Sequence, residues 1–394
     1  MANSLSYEKV GASATKAGLH KILETINPNE KQKYFCQLIE DIAGDDNYLS
    51  FIHCDGAGTK SIISYLYYKE TGDPTYFARL AEDSTVMNLD DIYCLGLPQK
   101  LTLANTIGRN SFLITDDILA QVIIGYQNFA KKLNELRIPI TMSGGETADC
   151  GDIVRTLIVD STIVGRIYKN NLLTLNSISD GDVIVALSSS GKSTYETSVN
   201  SGIGSNGLTL ARHALLSKEA TNKYPEVKDP NIDEASSYSG SYSVLDQPDN
   251  LGMTIGDALS SPTRTYAPIL KDIYQHEFKN ISGVVHLTGG AHGKVLRFIE
   301  PLKVVKDNLF TPPPIFDLIQ KSANIPDKEM YRVFNMGQRM EIYCKKEAVK
   351  NIIEIASNYE VEAKAVGYVT KTDEQYPEVE IKTSNGTFNL KVNN

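Results

Sequence analysis

The chain has 394 residues, 41% of them hydrophobic and 22% charged, with a formal net charge of −9. That length supports two domains with cores of their own, and the acidity argues against a general nucleic-acid binder, which needs basic surface to displace counterions. Five cysteines without C-x-x-C spacing suggest neither a disulfide framework nor a zinc site and point to a reducing cytoplasm; no 18-residue apolar run suggests a membrane span, and the opening residues lack a signal-peptide pattern.

Taken in chain order, Tyr48 to Cys54 reads as a buried strand that delivers Asp55 to a strand end. Asp73-Pro74 reads as an N-cap with proline at the first helical position, opening a helix that carries Asp83, Met87 and Asp91 at i+4 steps. A second helix is expected from about Thr115 to Leu136, its stripe running from Ile118 to Leu133. Ile138 to Met142 is expected as a short strand ending at a Ser143-Gly144-Gly145-Glu146 turn, and Thr156 to Val164 as another strand. A boundary falls near Asn170 to Asp180, dividing residues 1–170 from residues 171–394. Beyond it come a strand Asp182 to Leu187, a helix Leu208 to Leu216, and a polar stretch Lys218 to Asn250 that reads as a surface excursion or flexible lid. Val284 to Leu287, Met340 to Cys344 and Ala363 to Val369 read as strands, with a short helix around Val349 to Ala356.

The chemistry-bearing residues concentrate before residue 150. Asp55-Gly56-Ala57-Gly58-Thr59-Lys60, Asp90-Asp91, Gly144-Gly145-Glu146-Thr147 and Asp149 combine carboxylates with glycines. Glycine permits close backbone approach to a ligand, carboxylates suit a Mg²⁺ ion carrying a phosphate chain, and a neighbouring lysine suits the phosphate. Two decoys fall away. Gly191-Lys192-Ser193 lacks the first Walker A glycine, since Ala186 stands there, and Gly56-x-Gly58 has Ser61 where a dinucleotide fingerprint needs glycine.

These blocks resemble the aminoimidazole ribonucleotide (AIR) synthetase family, the phosphoribosylformylglycinamidine cyclo-ligases. Ser4-Leu5-Ser6-Tyr7 with Gly11 is similar to the family's opening signature, Asp55 to Lys60 to its D-G-V-G-T-K, Leu89-Asp90-Asp91 to V-N-D, and Gly144 to Ala148 to G-G-E-T-A. Ser205-Asn206-Gly207 resembles S-N-G, Ser261 to Arg264 A-P-T-R, His286 to Gly290 H-L-T-G-G, and Tyr331 to Gly337 M-Y-R-T-F-N-x-G. The chain departs from the pattern at Gly204, where the family has histidine, at Ala291, where it has a third glycine, and in extra residues before Ser205 and between Leu216 and Asn250.

The resemblance implies a two-domain α+β fold. It also implies a homodimer whose N-terminal sheets form a barrel-like interface, and a C-terminal domain closing over the substrate. It implies ATP and Mg²⁺ as cofactors, formylglycinamidine ribonucleotide as small-molecule substrate, and ring closure to 5-aminoimidazole ribonucleotide through phosphorylation of the formyl oxygen. Asp55, Asp91 and Glu146 are then the expected metal ligands, and Gly56, Gly58, Thr59, Lys60, Gly144, Gly145 and Thr147 the expected nucleotide contacts. His286, Lys60 and Glu146 are the expected catalytic groups, with His286 either stabilising the formyl oxygen or moving a proton. Ser205, Asn206, Thr263, Arg264 and Asn335 are the expected substrate contacts. The alternatives are a related ATP-dependent small-molecule kinase or synthetase, or a non-catalytic nucleotide-binding homologue.

Overall fold

Strand β2 (Tyr48–Gly56) alternates between two environments: Phe51 is fully buried, whereas Ile52 is 58% exposed. This is the signature of a sheet with one covered and one open face. In the computed structural model, which describes residues 5–13, 18, 22, 25 and 34–391, β2 belongs to a five-stranded sheet; Ser4 lies outside the described residues. Its other strands are β1 (Ile39–Glu40), β3 (Gly96–Arg109), β4 (Ile140–Asp149) and β5 (Leu157–Leu172), in the order β1-β2-β5-β3-β4. β4 is an edge strand, parallel to β3, and is exposed along most of its length.

Helices α1 (Ser61–Thr71), α2 (Arg79–Tyr93) and α3 (Asp116–Glu135) accompany this sheet. The Asp73 side chain accepts from Thr75 N–H at 2.9 Å, and a 3₁₀ turn over Pro74–Ala78 leads into α2. Nearly every residue of α2 from Leu80 to Tyr93 is buried, including Asp83, Asn88, Asp90 and Asp91. A helix buried on all sides with four such polar residues must find partners for them beyond its own sheet.

Those partners come from the second half. A seven-stranded sheet runs β12-β11-β8-β10-β6-β9-β7, built from β6 (Val183–Ser188), β7 (Ile281–His286), β8 (Leu302–Lys306), β9 (Gln338–Cys344), β10 (Ala363–Lys371), β11 (Glu378–Thr383) and β12 (Gly386–Lys391). Helices α4 (Leu208–Leu215), α5 (Lys218–Lys223), α6 (Ile255–Leu259), α7 (Ala267–Glu277), α8 (Pro314–Ala323), α9 (Asp327–Val333) and α10 (Val349–Ser357) complete it. The segment Ser261 to Tyr266 lies against α2: Thr263 N–H reaches Asp83 at 2.8 Å, and Thr265 Oγ1 reaches Asp90 at 2.7 Å.

Two expectations change. Gly144 to Thr147 is not a turn after a short strand; its backbone pairs with Ala104 to Ile107 of β3, so β4 runs on through it, with a bulge at Leu103/Ala104. Lys218 to Asn250 is not a loose lid. Val227 and Tyr238 are fully buried, Tyr65 OH on α1 donates to Glu226, Lys223 pairs with Glu70 at 3.0 Å, and Arg212 donates to Val227 O and Tyr238 OH. The excursion is a strap that ties α1 to α4. Among the described residues no helix is long and apolar enough to cross a membrane.

Candidate active site

Asp91, near the end of α2, is the hub of the site. Its Oδ1 lies 2.7 Å from His286 Nδ1 at the end of β7, and its Oδ2 lies 3.6 Å from His53 Nε2 on β2 and 3.9 Å from Lys294 Nζ. His53 Nδ1 lies 2.8 Å from Asn88 Oδ1, one turn back on α2. Burial alone raises the Asp91 carboxyl, but Lys294, the His286 hydrogen bond and His53 outweigh it and hold it down to about 2. Burial pushes His286 down to about 4, so its ring is neutral at pH 7. With Asp91 ionised, the one ring proton sits on Nδ1 and donates to the carboxylate. His286 Nε2 is then a bare lone pair, buried and without a hydrogen-bond partner. In this tautomer the ring nitrogen left over is an acceptor.

Asp55 belongs to the same cluster. Burial and then the charge of Asp91 raise its carboxyl, so two carboxylates confront each other at the end of β2 and in α2. A divalent cation with a phosphate chain relieves such a confrontation, and one or two carboxylates plus phosphate oxygens are what Mg²⁺ takes. Asp55 and Asp91 fit that ion.

Glu146 does not join them. Across the sheet Gly56 pairs with Asp160, Asp160 with Thr106, and Thr106 with Glu146, three strand spacings or about 14 Å. The neighbouring row runs from Asp55 through Ser161 and Asn105 to Gly145, and Ser161 Oγ bonds to Ser84 and Tyr126 under α2 and α3. Successive rows point to opposite faces, so Glu146 lies on the open face and Asp55 on the covered one. Among the described residues no three His, Cys, Asp or Glu side chains gather as a metal site; the expected Asp55-Asp91-Glu146 trio is therefore not assembled within one chain. Gly144, Gly145 and Thr147 lie exposed on β4 with Glu146. Gly56 leaves room for Asp160: an added Cβ would meet its Oδ1 at 1.7 Å and displace that side chain.

Lys60 goes elsewhere. It is fully buried, donating to Asp83 Oδ1 at 2.6 Å and to Ser261 O at 2.5 Å, so its ammonium holds the two domains together and does not face a phosphate. Thr263 donates both its N–H and its hydroxyl to the same Asp83 oxygen, and Ser205 Oγ lies 2.7 Å from Thr263 Oγ1. Asp83 Oδ2 and Asn206 Oδ1 are buried acceptors without a partner. Asp83 and Asp91 stand eight residues apart on α2, about 12 Å along its axis. Thr59 Oγ1 meets Thr209 Oγ1 of α4 at 2.9 Å, which brings the Gly58–Lys60 turn beside Ser205-Asn206.

Arg264 is not free for a phosphate. The insertion between Gly191 and Ser205 folds back on itself, with Gly191 bridged to Asn200. Its Glu196 grips the guanidinium at 2.5 and 3.0 Å, while Ser188 O, Ser190 O and Gly191 O take the remaining N–H groups. All five donors are used. Burial raises Glu196, but Arg264 wins and holds it below the usual range. Asn335 is likewise committed, accepting from Ser189 Oγ and Gly337 N–H and donating to Gly202 O and Ile203 O.

Sequence reasoning missed Asn88, His53 as a site residue, Asp83 as a hub, and Lys294. The available signal for Lys294 was its place four residues beyond Gly290, in the run that follows the His286 block.

The two-domain α+β architecture is that of known solved proteins. T. maritima PurL complexed with ADP superposes with a TM-score of 0.53 at 11% identity, covering 92% of this chain and 46% of that one, so the chain spans about half its length. AaThiL complexed with AMPPCP and TMP gives a TM-score of 0.53 at 12% identity, with 93% of each chain covered. Residues 39–167 match the family described as AIR synthase related protein, N-terminal domain, and residues 179–380 match its C-terminal domain. The phosphoribosylformylglycinamidine cyclo-ligase of Methanocaldococcus jannaschii is 30% identical over 346 residues, 87% of this chain and 83% of the relative. That of Methanococcus maripaludis C6 is 29% identical over 372 residues, 94% and 90%. The chain belongs to the AIR synthase related family.

Proposed function

We propose that the protein closes the imidazole ring of 5-aminoimidazole ribonucleotide from formylglycinamidine ribonucleotide, consuming ATP and releasing ADP and phosphate. The Asp91–His286 pair, with its unpartnered Nε2, carries this reading, and the curated relatives over most of the chain support it. Ring closure joins an amidine nitrogen to a formamide carbon. Oxygen is a poor leaving group until the γ-phosphoryl group is transferred to it. The amine then attacks the carbon, phosphate departs with the former formyl oxygen, and the nitrogen loses a proton. His286 Nε2 takes that proton, and Asp91 stabilises the resulting imidazolium through Nδ1–H. Asp55 and Asp91 would hold Mg²⁺, which supplies charge neutralisation for the phosphate chain.

The protein acts as a homodimer in this reading. The open face of the first sheet presents Ile52 and Ile158 at 58% and 40% exposure beside the bare edge strand β4, and a second copy covering it puts Glu146 at the interface. A reducing cytoplasm suits the free cysteines.

The test is turnover of purified protein with ATP, Mg²⁺ and formylglycinamidine ribonucleotide, following ADP and 5-aminoimidazole ribonucleotide together. Equal amounts of both are expected. ADP without ring product, with substrate proven on a reference enzyme, overturns the cyclo-ligase reading.

A further inference from the structure

Lys294 lies on the 3₁₀ turn Ala291–Arg297 that follows Gly289-Gly290. The chain enters this turn through Gly290 at φ 89° and Ala291 at φ 39°. Ala291 is thus a side-chain-bearing residue held in left-handed space, a strain that surrounding structure must enforce and that concentrates at functional sites. The turn aims Lys294 inward. Its side chain is 9% exposed, Nζ donates to Thr288 Oγ1, and the Phe35 ring lies 4.2 Å below the ammonium.

The ammonium is held differently from that of Lys60. Among the described residues Thr288 is its one hydrogen-bond acceptor, and at 3.9 Å from Asp91 Oδ2 it is attracted to the carboxylate without bonding to it. Asp91 already has a closer partner in His286. Lys294 therefore retains N–H donors for an anion, while Lys60 has both of its partners at 2.6 Å or less. His286 stands at Oδ1 and Lys294 at Oδ2, so a proton acceptor and a positive charge hang on the two arms of one carboxylate.

We propose that Lys294 is the lysine that meets the phosphate chain of the nucleotide and the oxygens of the transferred phosphoryl group, and that it is a catalytic residue. Phosphoryl transfer needs fixed positive charge at those oxygens, and the ring closure needs a base within the same centre. The inference rests on the ATP-dependent reading above.

The experiment compares wild type with Lys294→Met, Lys294→Arg and Lys60→Met. It measures ADP formation, the Kd for a non-hydrolysable ATP analogue by calorimetry, and the midpoint of thermal unfolding. Lys294→Met is expected to lower kcat for ADP formation at least 100-fold and to raise the analogue Kd about tenfold, a loss of about 1.4 kcal/mol, with the unfolding midpoint kept. Lys294→Arg is expected to recover nucleotide affinity but only part of kcat. Lys60→Met is expected to lower the unfolding midpoint. A Lys294→Met protein with kcat and Kd within threefold of wild type overturns the proposal. So does a loss of activity that only tracks a fall in midpoint while Kd stays unchanged. Should Lys294→Met not fold, Lys294→Arg decides: wild-type kcat overturns the proposal, and reduced kcat with retained Kd supports it. A wild type that neither hydrolyses ATP nor binds the analogue defeats the ATP-dependent reading itself, an outcome separate from any variant.

Discussion

His286 Nδ1 and Asp91 Oδ1 lie 2.7 Å apart although 195 residues separate them, one at the end of a strand of the second sheet and the other in the helix of the first. The contact fixes the imidazole tautomer and leaves Nε2 as the acceptor. Asp91→Asn removes the charge that orients the ring, and His286→Gln removes the base. Each is expected to lower turnover about 100-fold or more, read as ring product per minute, while an ATP analogue still binds the His286→Gln protein. A His286→Gln protein of wild-type rate removes the base from the mechanism.

The Lys60–Asp83 pair predicts a stability phenotype. Both side chains are fully buried, and truncating one partner strands the other charge. Lys60→Met is expected to cost about 3–5 kcal/mol in urea unfolding. A loss below about 1 kcal/mol contradicts the burial described for this pair.

Arg264 and Glu196 make a paired prediction. Arg264→Ala breaks five hydrogen bonds, three to carbonyls of Ser188, Ser190 and Gly191 and two to Glu196, so its main effect is a lowered unfolding midpoint, and the change in substrate KM stays within about threefold. Glu196→Ala lowers the midpoint in the same direction. A large KM rise in Arg264→Ala without loss of stability restores the substrate-contact role that the family resemblance implies.

Acid should weaken the fold through buried histidines. Burial, then Arg212 and Lys228, push His213 down to about 3, and burial pushes His286 down to about 4. Each folded value lies below the unfolded one of about 6.5, so the unfolded chain binds more protons as pH falls. The stability they support is complete above pH 6.5 and drains away toward pH 4 and then 3, by up to about 1.4 kcal/mol per pH unit for each histidine. His213→Gln is expected to flatten the midpoint-against-pH curve between pH 6.5 and 4. A curve with wild-type slope removes His213 from the account.

Ile52→Lys tests the open sheet face. A charge at that 58% exposed position is expected to convert a dimer to monomer in sedimentation velocity and leave the unfolding transition of the monomer cooperative. An unchanged sedimentation coefficient assigns the face another role.

Local pattern made β2, α2, α3, β5, β6, β7, β9 and β10 legible and, together with the family resemblance, marked Asp55, Asp91 and His286 at or near element ends; β3, β8, β11, β12, α1 and α7 to α9 were not anticipated. It did not reveal Lys60, whose burial depends on Ser261 to Tyr266 arriving from the other half of the chain. It did not reveal the orientation of Glu146, which turns on the register across β5, β3 and β4 and not on local pattern. The strap from Lys218 to Asn250 looked loose because its composition is polar, while buried Val227 and Tyr238 and the pairs from Glu226, Lys223 and Arg212 anchor it. Arg264 was misread because its partner, Glu196, lies in an insertion that the family motif does not contain.

The acids of α2 also bear on how the chain is made. Asp83, Asp90 and Asp91 sit in a helix complete by Tyr93, yet the groups that satisfy them include Thr263, Thr265, His286 and Lys294. At ribosomal rates of about 5–20 residues per second, those partners emerge on the order of ten to forty seconds later. Until then the amino-terminal half carries a helix whose carboxylates lack these partners and are costly to bury, so it stays open to solvent on that side. Nascent-chain release at residue 175 should yield a protease-sensitive fragment, and resistance should appear abruptly once the chain has passed the Gly289-Gly290 turn.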